Sequence, residues 1–254
     1  MTHTFSQTPS QAADFGKTGW QKSIVTAEQL AKRFPLDPDQ IRKVTNQYPM
    51  RINPYYLSLM QYPGDPLWKQ AVPDMAEIQD SQGTDDPLCE ENQSPVGGLI
   101  HRYPDWAVFL ISSQCAMFCR HCMRKRRVGL PFSVTEKNIR AGLEYIRKQR
   151  KIRDVILSGG DPLLLEDEKL KEILAEIRGM SHVEIIRIHT RIPCTLPQRI
   201  TPELVQMLKN FHPLYVNTHF NHPDAGNHTG AALACTTRDC RHSLPDVRLF
   251  CSRA

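Results

Sequence analysis

Apolar positions fall into two regimes along the chain. Before residue 100 they are scattered through short polar segments. From Ala107 they gather into strand-length runs separated by helical-period segments. Ala107-Val108-Phe109-Leu110-Ile111 is a continuous apolar run, and Val155-Ile156-Leu157, Val183 to Ile188 and Leu214 to Thr218 repeat it. Between these runs, Ile139, Leu143 and Ile146 recur at helical spacing, as do Leu170, Ile173, Leu174 and Ile177, and then Leu204, Met207 and Leu208. Ser133 with Glu136 predicts a capping box at the start of the first helix, and Thr201-Pro202-Glu203 caps the third. Strands joined by helical crossovers predict a parallel sheet with right-handed connections. Continuous apolar strands predict that both faces are covered. A partial or complete α/β barrel is the first expectation, with a doubly wound open sheet as the alternative.

Upstream, Thr26 with Gln29 reads as a capping box. Asp37-Pro38, Asn53-Pro54 and Asp65-Pro66 each place a capping residue before a proline at the first helical position. Residues 20–75 are therefore expected to form several short helices, and the polar, Gly/Pro-punctuated residues 78–100 a wrapping loop. With 254 residues, 40% hydrophobic and 23% charged, the chain is not disordered, collagen-like or coiled-coil. No apolar run approaches the roughly 18 residues of a membrane span, and the N-terminus lacks a signal-peptide core, so a soluble cytoplasmic protein is expected. A net charge of +5 does not by itself imply nucleic acid.

In α/β barrels the chemistry lies at the C-terminal ends of the strands. Four such ends carry reactive residues here: Cys115-x-x-x-Cys119-x-x-Cys122, then Ser158-Gly159-Gly160-Asp161-Pro162, then His189-Thr190-Arg191, then Asn217, His219, Asn221 and His222. The chain has eight cysteines, and the triplet is the sharpest signal. Three soft thiolates without a nearby fourth suit a cubane iron–sulfur cluster with one open iron. Zinc completed by His121, or plain buried thiols, are the alternatives. The two glycines allow close backbone approach, and Asp161 could pair with an ammonium group, although a simple strand-to-helix turn reads equally well. Arg120, Arg124, Lys125, Arg126 and Arg127 look like a nucleic-acid patch, yet they are interleaved with the cysteines; arginine there could hold a carboxylate or phosphate, and a solvated face is the ordinary reading for the outermost cations.

The run Cys115-Ala-Met-Phe-Cys119-Arg-His-Cys122-Met-Arg-Lys-Arg-Arg closely resembles the signature of lysine 2,3-aminomutases, which are radical S-adenosylmethionine enzymes. The likeness includes Asn53-Pro-Tyr-Tyr-Leu, Gly98-Leu-Ile-His-Arg-Tyr-Pro-Asp105, Leu157-Ser-Gly-Gly-Asp161, Leu196-Pro-Gln-Arg-Ile-Thr-Pro-Glu-Leu204 and Asn217-Thr-His-Phe-Asn-His-Pro223, and runs from about Trp20 to Asp224. It implies a radical SAM partial (β/α) barrel over residues 101–224, behind an N-terminal helical and wrapping region over residues 1–100. It implies a 4Fe-4S cluster on Cys115, Cys119 and Cys122, S-adenosyl-L-methionine on the open iron, and pyridoxal 5'-phosphate. The reaction implied is 2,3-migration of an amino group on L-lysine, giving β-lysine, with glutamate as the alternative substrate and a pyridoxal-independent radical enzyme as a further one. His121, Gly159, Gly160 and Asp161 match positions near S-adenosylmethionine, Asn217 and His219 lie in the loop near its ribose, and Arg124 matches the arginine that clamps the substrate carboxylate. The implied partners are a small-molecule amino acid and an electron donor such as flavodoxin or ferredoxin, with neither nucleic acid nor membrane; a homo-oligomer is compatible.

Two departures stand out. Trp106 occupies a position where many relatives carry an arginine able to hold pyridoxal phosphate. After Asp224 the resemblance stops. Residues 225–254 show no sustained helical or strand period and contain no lysine, the last being Lys209, so nothing matches the family's Schiff-base lysine. This aberrant tail resembles an out-of-frame or truncated reading. The barrel is accordingly expected to stop after about four strands, with an open parallel edge and poor stability.

Overall fold

A computed structural model describes residues 19–130 and 134–222, together with the backbone of residues 247–253. One six-stranded sheet runs in the order β1-β2-β3-β4-β5-β6. Strand β1 (Leu99–Tyr103) is antiparallel to β2 (Trp106–Ser112). Strands β3 (Asp154–Gly159), β4 (Ile185–His189), β5 (Leu214–Phe220) and β6 (Val247–Arg253) continue from β2 in parallel. The sheet does not close. Helices α6 (Glu136–Lys148), α7 (Asp167–Arg178) and α9 (Pro202–Lys209) cross between successive parallel strands, as the periodicity predicts.

The expectation of two apolar faces does not hold for the later strands. In β4 and β5 buried and half-buried residues alternate, so each strand has an apolar and a polar side. Phe109, Val155, Leu157, Ile186, Ile188, Leu214 and Val216 pack with Ile139, Leu143, Ile146, Leu170, Ile173, Ile177 and Leu204 in one core under the helices. Burying each of these side chains contributes about 1.5–3 kcal/mol. The opposite face carries Asp154 and Ser158 of β3, Arg187 and His189 of β4, and Tyr215, Asn217 and His219 of β5. In register, Arg187 lies beside Tyr215 and His189 beside Asn217. An open parallel sheet can devote that polar face to chemistry rather than to packing.

The N-terminal helices α1 (Ala27–Ala31), α2 (Pro38–Thr45), α3 (Pro54–Leu59) and α4 (Pro66–Ala71) begin at Thr26, Asp37, Asn53 and Asp65, each with its capping hydrogen bond. A short α5 (Ala76–Gln79) follows. Their apolar faces form a second core around Leu30, Ile52, Tyr56, Leu57 and Leu67. That core also takes in Met117 of the cysteine loop and Cys194 of the one-turn α8 (Ile192–Thr195). The helices are thus built against the functional end of the sheet.

Three local readings are corrected. The capping box of α6 is made by Thr135 and Asn138, two residues beyond Ser133, which lies outside the described residues. Asn138 N–H donates to Thr135 Oγ1 at 3.2 Å and Thr135 N–H to Asn138 Oδ1 at 3.1 Å. The last residues of the supposed wrapping loop form the start of β1, because hairpin pairing with β2 satisfies their backbone. Finally, the open β5 edge is paired: Leu214 through Phe220 lie beside Val247 through Arg253. A row of unpaired N–H and C=O groups is a template for any β-competent segment, and Val-Arg-Leu-Phe suffices.

Candidate active site

The cysteine loop leaves β2 after Ser112 and is fixed by its own apolar spacers and by the N-terminal helices. Ala116, Met117 and Phe118 are buried. Phe118 N–H donates to Arg51 O at 3.0 Å and Arg120 N–H to Gln70 O at 2.9 Å. Buried Asn53 caps α3 and also donates to Ala116 O (3.1 Å) and Thr195 O (2.8 Å), tying two strand-end loops together. The Arg51 guanidinium lies 4.9 Å from the Trp20 ring centroid and 4.8 Å from that of Phe118, and donates to Gln114 Oε1 at 2.8 Å.

Cys115, Cys119 and Cys122 are free thiols, partly open to the site. Burial, then the charges of Asp161, Cys119 and Cys122, push the Cys115 thiol well above its ordinary value; burial also raises that of Cys122. Arg191 Nη1 donates to Cys119 Sγ at 2.7 Å, and Arg124 N–H to Cys122 Sγ at 3.3 Å. Burial opposes the Arg191 charge, but Cys119, Tyr56 and Cys194 hold its pKa above the usual value. The thiols sense one another electrostatically, yet no three His, Cys, Asp or Glu side chains among the described residues gather around a point fit for one metal ion. Three thiols on one loop are a donor set of the kind that holds a cubane cluster with one iron left open. His121 lies against His219 instead, with ring centroids 6.2 Å apart.

Gly159 and Gly160 give close approach, but to the protein's own backbone. A Cβ on Gly159, where φ is +114°, would meet Ser112 O at 2.3 Å; one on Gly160 would meet Gln114 O at 2.3 Å. Gly160 N–H donates to Ser112 O (2.6 Å) and Asp161 N–H to Gln114 O (2.7 Å), locking the end of β3 onto the root of the cysteine loop. Asp161 is buried and its carboxylate is engaged internally: it accepts from Thr190 Oγ1 (2.6 Å), Arg191 N–H (2.8 Å) and Leu163 N–H (3.1 Å). Asp161 therefore brackets the β4 loop that carries Arg191.

The polar face of the sheet and the cysteine loop gather neutral imidazoles. Burial, with Arg191 and His219 adding, holds His121 down to about 4. Burial, Arg124, Arg187 and His219 do the same for His189, also to about 4. Burial and Arg191 lower His219. Asn217 Nδ2 lies 3.1 Å from His189 Nε2. At neutral pH these rings are hydrogen-bonding groups without charge.

The basic run is not a free patch. Arg120 forms a two-point pair with Glu77, at 2.9 and 2.8 Å, and both side chains are nearly buried. Lys125 reaches Glu77 at 3.2 Å, Arg126 reaches Asp86 at 2.7 Å, Arg127 reaches Glu91 at 3.3 Å and Arg124 reaches Glu90 at 2.6 Å. Paired in this way, the run offers no stripe of free cations to phosphates. A cleft of about 400 Å³ opens beside it, between Tyr48, Glu77, Asp85 and the His121–Met123 edge. Trp106 stands at the opposite end of β2 from the cysteines, stacked on Tyr103 with centroids 4.6 Å apart. Cys235 and Cys240 lie outside the described residues. Sequence reasoning found Asn53 as a cap but missed its bonds to the two strand-end loops, and it missed Glu90 and the clamping role of Arg191; the acidic stretch before β1, opposite in charge to the cysteine loop, was the available signal for Glu90.

The sequence profile of the radical SAM superfamily matches residues 109–235, half of the chain, from β2 through the cysteine loop and past β5. The chain belongs to the radical SAM superfamily. Membership implies S-adenosylmethionine and a 4Fe-4S cluster, for which the cysteine loop is suited. The chain is 47% identical over 257 residues to the L-lysine 2,3-aminomutase of Acetoanaerobium sticklandii, an alignment covering 91% of this chain and 62% of that protein. It is 50% identical over 189 residues to that of Methanococcus maripaludis, covering 72% of this chain and 44% of the relative. It is 40% identical over 218 residues to the glutamate 2,3-aminomutase of Clostridioides difficile, covering 83% and 52%. The chain thus spans roughly half the length of these relatives. Among the described residues no helix is long and apolar enough to cross a membrane.

Proposed function

We propose that this chain carries the radical core of an amino-acid 2,3-aminomutase whose substrate is L-lysine and whose product is β-lysine. The observation that supports this reading most is the 47% identity to a lysine 2,3-aminomutase across nine-tenths of the chain, against 40% for the glutamate enzyme. In this reading Cys115, Cys119 and Cys122 hold the cluster. His121, Gly159, Gly160, Asp161, Asn217 and His219 shape the S-adenosylmethionine pocket, and Arg124 takes the substrate carboxylate. The cluster and S-adenosylmethionine supply radical hydrogen abstraction when bound, with the electron delivered by a flavodoxin or ferredoxin type donor.

The chain's own residues orient and exclude. Asp161 fixes the loop carrying Arg191, whose guanidinium places positive charge and an N–H on the Cys119 sulfur. Hydrogen bonds to cluster sulfurs tune reduction potential. The neutral His121 and His219 offer donors and acceptors without competing as cations. The residues present do not supply a lysine matching the pyridoxal anchor, so pyridoxal 5'-phosphate enters this reading through the family resemblance alone.

The test is anaerobic reconstitution with iron and sulfide, then reduction in the presence of S-adenosylmethionine. The reading expects 5'-deoxyadenosine to form, with L-lysine stimulating its formation more than L-glutamate. Stimulation by glutamate alone would favour the glutamate alternative, and no cleavage under any condition would overturn the radical reading.

A further inference from the structure

Arg124 is held by a residue that neither motif nor resemblance singles out. Glu90 is 4% exposed, in the acidic segment that wraps the cysteine loop. Its carboxylate takes the side edge of the Arg124 guanidinium: Nε donates to Oε2 at 3.0 Å and Nη2 to Oε1 at 2.6 Å. Arg124 Nη1 donates to Ser158 Oγ at 3.3 Å, on the polar face of β3.

A guanidinium has five N–H donors in a fixed planar fork. Glu90 uses the Nε hydrogen and one on Nη2. Ser158 uses one on Nη1. The end edge, between Nη1 and Nη2, is not the one Glu90 occupies, and an end-on pair of N–H groups is the geometry that receives a carboxylate at two points. The segment carrying Glu90 is itself held in place. Ser94 Oγ donates to Glu90 O at 2.7 Å, Glu91 N–H to Asp86 Oδ2 at 3.0 Å, and Arg126 pairs with Asp86.

We propose that Glu90 is a positioning residue: it pins Arg124 side-on, so that the free end of the fork is set as the receptor for the α-carboxylate of the amino-acid substrate. This rests on the reading above that Arg124 meets that carboxylate. A plain structural ion pair would stabilise the fold but would not discriminate between ligands with and without a carboxylate.

The test compares L-lysine with 1,5-diaminopentane, the same molecule without its carboxylate, binding to the anaerobically reconstituted, S-adenosylmethionine-loaded full chain by calorimetry. Wild type is expected to bind lysine at least about tenfold more tightly than the diamine. Arg124→Lys should erase that preference. Glu90→Gln should reduce it about tenfold while leaving diamine affinity unchanged. Glu90→Asp keeps the charge on a shorter stem, so it guards against a variant that fails to fold and should fall between the two. Loss of preference in Arg124→Lys but not in either Glu90 variant overturns the proposal alone. Preference retained in Arg124→Lys, or absent in wild type, overturns the underlying reading with it. Tighter lysine binding in Glu90→Gln would make Glu90 a competitor for the fork and equally overturn the proposal.

Discussion

Gly160→Ala is the smallest change that should disturb the cluster site without touching a ligand. The added methyl would stand 2.3 Å from Gln114 O, 2.7 Å from Gln114 N and 2.8 Å from Gln114 C. A carbon–oxygen contact needs about 3.3 Å, so the backbone must retreat by about 1 Å. All three atoms belong to the backbone of the residue just before Cys115, so no flexible side chain can yield instead. The retreat would lengthen the bonds from Gly160 N–H to Ser112 O and from Asp161 N–H to Gln114 O. Overpacking of this kind costs about 1–3 kcal/mol, a drop of a few degrees in melting temperature. The effect on loading should be larger, because metal–ligand distances tolerate only about 0.2 Å. Iron and acid-labile sulfide per chain after anaerobic reconstitution should fall by more than half, with the apoprotein still folded by circular dichroism. Full iron and sulfide content in a folded Gly160→Ala protein would refute the claim that these glycines dock β3 against the cysteine loop.

Asn53→Ala removes the cap of α3 and strips two buried carbonyls of their donor, so a loss of about 2–4 kcal/mol in urea unfolding is expected, against about 1 kcal/mol were the side chain only a cap. Glu77→Ala leaves the nearly buried Arg120 unpaired and should cost about 3–5 kcal/mol in the same measurement; a loss below 1 kcal/mol would show that the pair does not anchor the cysteine loop. His189, facing Arg124, Arg187, His219 and Asn217, is neutral in the fold until about pH 4, whereas in the unfolded chain it takes a proton near 6.5. Its contribution is therefore complete above pH 6.5 and is lost as pH falls towards 4, by up to about 3 kcal/mol. The fall in stability between pH 7 and 4.5 should be shallower in His189→Gln; equal slopes would contradict the burial of a neutral ring. Because the Arg120–Arg127 run is ion-paired, duplex DNA should show no salt-dependent binding near physiological ionic strength, and a steep salt slope would contradict that pairing.

The crossover helices and parallel strands were legible because 3.6-residue and strand-length apolar patterns survive in the sequence. So were the four capped N-terminal helices, since an Asx or Thr before Pro or Gln is a local device that tertiary contacts need not supply. The two-sided burial expected of β4 and β5 was a misreading. The alternation in Ile-Ile-Arg-Ile-His and Leu-Tyr-Val-Asn-Thr-His is visible, but only a sheet left open on one side gives it meaning. The ends carrying chemistry were legible as residue types, while their employment was not. Asp161 accepts from Thr190 and Arg191, and Arg124 from the basic run is claimed by Glu90, because contacts 29 to 34 residues apart in sequence depend on which loops the strand order brings together. The pairing of Val247–Arg253 with β5 was illegible for a related reason: edge-strand addition needs a template more than a pattern.

The most direct test of the account replaces Cys115, Cys119 and Cys122 by serine, one at a time, and measures iron, sulfide and zinc per chain together with the low-temperature electron paramagnetic resonance spectrum with and without S-adenosylmethionine. The account predicts about four irons and four sulfides in the reconstituted wild type, a spectrum that changes when S-adenosylmethionine is added, and loss of both in each variant. Iron content unchanged by the serines, or stoichiometric zinc without sulfide in the wild type, would contradict it.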